Sequence, residues 1–198
     1  MLTKIKSFLS LIRFFIIGLI SRIPWLCKSV QFSRKYYNCP LDTITTKIED
    51  WQMRERAALG ICKPQSGKIL TVLLGPIRDR VLEEVRNKPD SITYGLKDYW
   101  ATSKEVLLRN QGDCEDFAVV ALRRLRENGF ADKDIGVVLI SGHALVGIHH
   151  EHNDFLIIDN GFFTHTAGIK ASELFPVVKD GKKLMPYAGF NLFEKWSY

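Results

Sequence analysis

Between Cys114 and Asp159 the apolar residues change period from three-and-four to two, and that change narrows the possible folds more than any other feature of the chain. Phe117, Ala118, Ala121, Leu122 and Leu125 recur at helical spacing, while Arg123, Arg124, Arg126 and Glu127 take the other side. Asn128-Gly129 then supplies a stop. Apolar, β-branched runs follow at 135–140, 143–148 and 155–159, separated by Ser141-Gly142 and by a polar stretch. The spacing therefore predicts a helix followed by antiparallel strands.

The helix opens on Gly112-Asp113-Cys114-Glu115-Asp116, with Asp113 at the N-cap and Asp116 three residues on. Cys114 thus falls in the first turn. Unpaired amides and the positive end of the helix dipole lower a thiol pKa there from ~8.5 to roughly 3.5–7.5 in reactive cases. Cysteine is usually a small buried hydrophobe, so one set among three acids points to chemistry. The acids also oppose the thiolate: at an effective dielectric near 20, a like charge ~4 Å away costs roughly 4 kcal/mol. Either they cap backbone amides, or a hard cation such as calcium neutralises them. For Asp113 both readings stay open; for Glu115 and Asp116 the alternative to metal binding is a solvated first turn.

A base and its orienter come from the strands. If Ile148 and Asp154 flank the polar loop, Gly147 faces Phe155, Leu145 faces Ile157 and His143 faces Asp159. Opposed residues have Cβ atoms about 4.5–5.5 Å apart. Asp159 could then accept the Nδ1 proton of His143 and leave Nε2 for the sulfur, giving a Cys114, His143, Asp159 triad. A zinc site of the same three residues is the lesser alternative, for want of a fourth ligand.

The stretch from Tyr94 through Asp98-Tyr99-Trp100-Ala101-Thr102 to Glu105, then Gly112 to Phe117, Gly142-His143-Ala144 and Ile158-Asp159-Asn160, resembles the bacterial transglutaminase-like cysteine proteinases. This is the family of the LapG-type periplasmic proteases, and the likeness covers residues 44–198. The resemblance implies an α+β, papain-like or transglutaminase-like cysteine peptidase fold, its helical N-terminal part packed on an antiparallel sheet, with Cys114 as nucleophile, His143 as base and Asp159 as orienter. It implies a calcium site built on Asp113 and Glu115, with Asp116 beside them. It further implies cleavage of a large cell-surface or biofilm adhesin, under a membrane receptor that senses cyclic di-GMP and sequesters the protease.

The remaining chain reads as scaffold. Ile44, Ile48, Trp51, Glu55 and Ala58 recur at helical spacing, as do Ile69, Val72, Leu73, Ile77, Val81 and Val85 around a helix-disrupting Pro76. Thr102 to Glu105 reads as a capping box opening a short helix. Trp51, Trp100 and Trp196 are expected in the core, Trp100 also as a candidate cleft wall. His149, His150 and His152 fall in a turn between strands, and His165 takes no role.

Residues 1–38 carry Lys4, Lys6, Arg13, Arg22, Lys28, Arg34 and Lys35 and no acid, so a chain of net charge +6 leaves 39–198, the peptidase domain, close to neutral. A nucleic-acid role is excluded on that ground, because the basic arm holds no binding motif. Membrane contact through residues 8–26 explains the arm better. As a signal peptide it lacks a small-residue cleavage site. As a spanning anchor it must bury Arg13 or Arg22. As an interfacial helix it tolerates both. The expectation is a periplasmic enzyme associated with the inner membrane, the alternative a peripheral enzyme on the cytoplasmic face. Cys39 with Cys62 is the one disulfide considered, against free buried thiols.

The expected function is a calcium-dependent cysteine endopeptidase acting through a thioester. A transglutaminase or amidase would use the same triad with another acceptor. A membrane-tethered binding module would keep the fold without using the thiol.

Overall fold

The computed structural model describes residues 41–96, 98–140, 142–150, 154–161, 167–175, 177–179, 182–184, 186 and 188–197. The basic arm, with its 8–26 segment, Cys27 and Cys39, lies outside the described residues, as do Glu151, His152 and His165. Among the described residues no helix is long and apolar enough to cross a membrane. Cys62 is exposed with a free thiol.

The first helical pattern becomes α1 (Leu41–Leu59), which buries Ile48, Trp51 and Glu55. The second starts later than its spacing suggests. Thr71–Leu73 forms a 3-10 turn, and the helix itself is α2 (Leu74–Glu84), with Pro76 in its first turn, where a missing N–H costs nothing. Val72 is accordingly 79% exposed rather than buried. After the single turn α3 (Asp90–Thr93) comes α4 (Ser103–Arg109), opened by the expected capping box of Thr102 and Glu105. Glu55 also supports this start, accepting the Ser103 amide at 2.8 Å and the Ser103 hydroxyl. Burial pushes the Glu55 carboxyl above its ordinary range, and the bonds from Ser103 oppose that rise. The long helix is α5 (Cys114–Glu127), and α6 (Ala171–Leu174) is one turn.

Two short strands, β1 (Arg86–Asn87) and β2 (Gln111–Gly112), pair in parallel just ahead of α5. The main sheet holds β3 (Ile135–Ile140), β4 (His143–His149), β5 (Phe155–Ile158) and β6 (Ile169–Lys170). Beyond a separate hairpin of β7 (Val177–Lys179) and β8 (Lys182–Leu184), it is completed by β9 (Ala188–Phe190) and β10 (Lys195–Ser197). Its order is β10-β9-β3-β4-β5-β6, with every pair antiparallel. Val137, Leu139, Ala144, Val146 and Ile148 join the core built on Phe117, Ala121 and Leu125 of α5. Alternating with them, Val138, Leu145 and Ile157 form a smaller cluster with Ala171. The helix-on-sheet reading of the sequence is therefore what the chain forms.

One register differs from expectation. β3 and β4 pair with Ile140 opposite His143, and Gly142, just ahead of β4, has φ 71°. β4 and β5, however, pair with Gly147 opposite Ile157, displaced by two residues from the expected partner Phe155. The ladder runs past Ile148 because His149 still pairs with Phe155, and the His150 amide donates to the Asp154 carbonyl at 2.9 Å. A shift of two leaves every side chain on its own face. His143 and Asp159 thus remain neighbours, diagonally rather than directly opposed.

Trp51 ties α1 to this sheet. It is fully buried, its Nε1 donates to the Ala101 carbonyl at 3.0 Å, and its ring meets Phe190 edge-on at 5.1 Å. Trp100, half-buried, stacks on the same Phe190 at 5.3 Å. Trp196 lies over Gly189 and Gly136, where an added Cβ would come within 2.2 and 2.5 Å of the indole. Replacing Trp51 by Ala should cost about 3–5 kcal/mol, read from urea unfolding at constant m. A loss below about 1 kcal/mol would show that the contact is not part of the core.

Candidate active site

The turn before α5 is held from both sides. Arg86 donates its amide to the Asn110 carbonyl at 3.2 Å, and Lys88 does so to the Gly112 carbonyl at 2.8 Å. Asn110 takes the left-handed conformation that ends α4. Gly112 has no room for a side chain: an added Cβ would lie 2.2 Å from Asp116 Oδ2 and 2.3 Å from its Cβ. The glycine of the motif is thus what lets Asp116 fold back under the helix start.

Cys114 is half-buried at the first position of α5. Its thiol donates to Glu115 Oε2 at 3.1 Å, and the backbone amide of Ala144, in β4, favours the thiolate. Burial raises the thiol pKa first, the charge and hydrogen bond of Glu115 raise it further, and the Ala144 amide opposes them. The acids thus oppose a thiolate, as the sequence reading expects of them, with Glu115 foremost.

His143 opens β4, one residue before that amide. Its Nε2 lies 2.6 Å from Asp159 Oδ1, and the two side chains are only 3% and 0% exposed. The Gly161 amide donates to Asp159 Oδ2 at 3.1 Å. The structure therefore brings His143 and Asp159 together as the sequence suggests, but through the other ring nitrogen: Asp159 engages Nε2 rather than Nδ1. The zinc alternative loses its basis, since Nε2 and Oδ1 face each other and the ligand atoms grouped with the sulfur are those of Asp113 and Glu115.

The acids form one cluster. Oxygens of Asp90, Asp113 and Asp116 lie within 4.8 Å of one another, as do those of Asp90, Asp98 and Glu115. Asp113 holds the N-cap position without a side-chain cap bond, so its capping reading falls. Asp116 is fully buried, so its solvated reading falls as well. The Tyr94 hydroxyl donates to Asp116 Oδ2 at 3.1 Å, the Tyr99 amide donates to Asp90 Oδ2, and Lys47 pairs with Asp98. One oxygen each of Asp90, Asp113 and Asp116 is buried with no donor.

Burial, then the neighbouring Glu115, pushes Asp113 up to about 8. Burial and the Asp113 and Asp90 charges push Asp116 to about 8, against the Tyr94 hydroxyl. Asp90 rises to about 6 through burial, with the Tyr99 amide opposing and the charges of Asp113 and Asp98 adding. Buried acceptors that lack donors and repel one another make a site that fits a hard, oxygen-seeking cation.

Asp90 and Asp98 are the members that sequence reasoning missed. Asp98 stands within the Asp98-Tyr99-Trp100 stretch without an assigned role, and Asp90 follows Pro89 at the start of a one-turn helix. Nothing in their spacing points to Glu115; only the tertiary fold does.

No curated protein matches the sequence. Among solved structures the chain is similar to calcium-bound LapG of Legionella pneumophila, at 18% identity and a TM-score of 0.53 over 91% of this chain and 87% of that one. It is likewise similar to the EGTA-treated form of that protein, at 19% and 0.54 over 90% and 85%. These likenesses support the fold, a transglutaminase-like cysteine peptidase fold of mixed helix and antiparallel sheet. The family described as bacterial transglutaminase-like cysteine proteinase (BTLCP) matches residues 43–166, more than half of the chain, and that span takes in Cys114, His143 and Asp159. The chain belongs to the bacterial transglutaminase-like cysteine proteinases and is a cysteine peptidase.

Proposed function

We propose that the protein is an endopeptidase working through Cys114, His143 and Asp159, and that calcium at the carboxylate cluster is needed for activity. One observation carries this reading. The buried His143–Asp159 pair, at 2.6 Å, adjoins in the chain Ala144, whose backbone amide favours the Cys114 thiolate. The sulfur attacks a peptide carbonyl, and the developing oxyanion meets the Cys114 amide at the helix start. With Nε2 directed at Asp159, His143 exchanges protons through Nδ1, taking one from the thiol and giving it to the leaving amine. Water then hydrolyses the thioester.

Asp113, Glu115 and Asp116, with Asp90 and Asp98, would hold the calcium. When bound it supplies positive charge that favours the ionised form of these acids. Glu115 matters most to the nucleophile, because its carboxylate both accepts the thiol hydrogen and repels a thiolate.

The same reading puts the enzyme in the periplasm, associated with the inner membrane through residues 8–26. Its substrate would be a large surface adhesin and its regulator a membrane receptor for cyclic di-GMP. The basic apolar arm supports the membrane contact, and the family resemblance supports substrate and regulator.

Cys114→Ala and His143→Ala should each lower cleavage of a peptide library at least about 10³-fold, and Asp159→Asn about 10²–10⁴-fold. New N-termini read by mass spectrometry report the cleavage. Incorporation of an added amine in place of new N-termini would make the enzyme a transglutaminase instead.

Stability provides a separate test of the cation. An aspartate raised to about 8 contributes stability that is fully present below about pH 4 and lost as pH climbs through about 8. Glu84, Glu105, Glu127 and Asp154 are lowered, so their contributions are lost only on acidification. In chelator, Tm should therefore fall between pH 5.5 and 8.5, and calcium should remove that fall. A chelator Tm that is level over this range would contradict the cluster's charge balance.

A further inference from the structure

We propose that Arg78 is a positioning residue of the active site, holding the Asp159 backbone so that its carboxylate is presented to His143. This rests on the assignment of His143 as base and Asp159 as its orienter. The buried face of α2 consists of Leu74, Ile77, Arg78 and Val81, so a single guanidinium stands among three aliphatic side chains. The Arg78 side chain is only 8% exposed. Ordering such a side chain gives up rotamer entropy, and withdrawing its charge from water adds a further cost. An aliphatic residue would fill the space without either cost. What an aliphatic residue could not do is donate: Arg78 Nε gives a hydrogen bond of 2.8 Å to the Asp159 carbonyl.

β5 ends at Ile158, so Asp159 stands one residue beyond its ladder. A second anchor is the Gly161 amide on Asp159 Oδ2, at a glycine with φ 103°. Arg78 fixes the peptide, Gly161 fixes one carboxylate oxygen, and the other oxygen is left directed at His143 Nε2. The bond spans 81 residues and joins α2 to the end of β5, so α2 sets the aim of a pair that it does not itself contain. A misplacement near 1 Å can cost about a hundredfold in rate.

The test uses the calcium-loaded full chain with Arg78→Lys, Arg78→Met and His143→Ala. Cys114 alkylation by iodoacetamide is followed against pH by mass spectrometry, with the exposed Cys62 as internal control. The Nε2 proton of His143 is followed by NMR. In folded Arg78→Lys, Cys114 should react about ten- to a hundredfold more slowly relative to Cys62. Its pH profile should be displaced, and the downfield proton of the His143–Asp159 bond should move or broaden. An unchanged profile together with an unchanged proton, whatever the Tm, overturns the inference. If His143→Ala also leaves Cys114 alkylation unchanged, the triad assignment itself fails. If it slows alkylation while Arg78→Lys does not, only the role of Arg78 falls. Should neither Arg78 variant fold, the wild-type Arg78 Nε–H signal decides: it should shift when Cys114 is alkylated, and an unmoved signal counts against the proposal.

Discussion

Crowding of carboxylates beneath the first turn of one buried helix is the constraint on which the rest of this molecule depends. Asp113, Glu115 and Asp116 come from the helix start, and Asp90 and Asp98 from the segment that packs against it. Gly112 makes the crowding possible by giving up the space a Cβ would need. Each acid alone would be an ordinary first-turn residue favoured by the helix dipole. Together, they raise the proton affinity of Asp90, Asp113 and Asp116, which burial also raises, and that of the adjacent thiol. The same geometry that makes a cation site thus also suppresses the nucleophile beside it.

That opposition gives the site its logic. The imidazole and its carboxylate partner are assembled at the sheet, largely out of water. The thiol donates to Glu115, whose charge opposes its ionisation, while the Ala144 amide of the strand that His143 opens favours it. Which neighbour dominates is decided by the charge on Glu115, and Glu115 belongs to the cluster. Under the proposed function, metal occupancy and nucleophilicity would be linked through a single side chain next to the cysteine.

Much of this was legible in the residues. The α5 helix could be read because its start and stop are both written locally, in Gly112-Asp113 and Asn128-Gly129. The capping box at Thr102 and the proximity of His143 to Asp159 followed from equally local rules. The strand register was misjudged by two because His149 looks like a loop residue yet continues the ladder. The cluster was half visible: three acids share one motif, but Asp90 and Asp98 reach it only through the packing of the 90–98 segment. Which ring nitrogen meets Asp159 is a matter of side-chain rotation that no pattern of residue types encodes. Nothing in the spacing of α2 assigns Arg78 a role, and its bond to the Asp159 carbonyl depends on where the end of β5 comes to rest.

The most direct measurement is the rate at which Cys114 is alkylated at pH 7, relative to Cys62, with calcium and with a chelator. If Glu115 governs the thiol, Cys114 should react at least about tenfold faster in calcium, since a change of ~1.4 kcal/mol in thiolate stability is a factor of ten. The Glu115→Gln variant should react in chelator faster than the wild type does. Equal rates for Cys114 with and without calcium, in a protein whose Tm shows that calcium is bound, would contradict the linkage between the carboxylate cluster and the nucleophile.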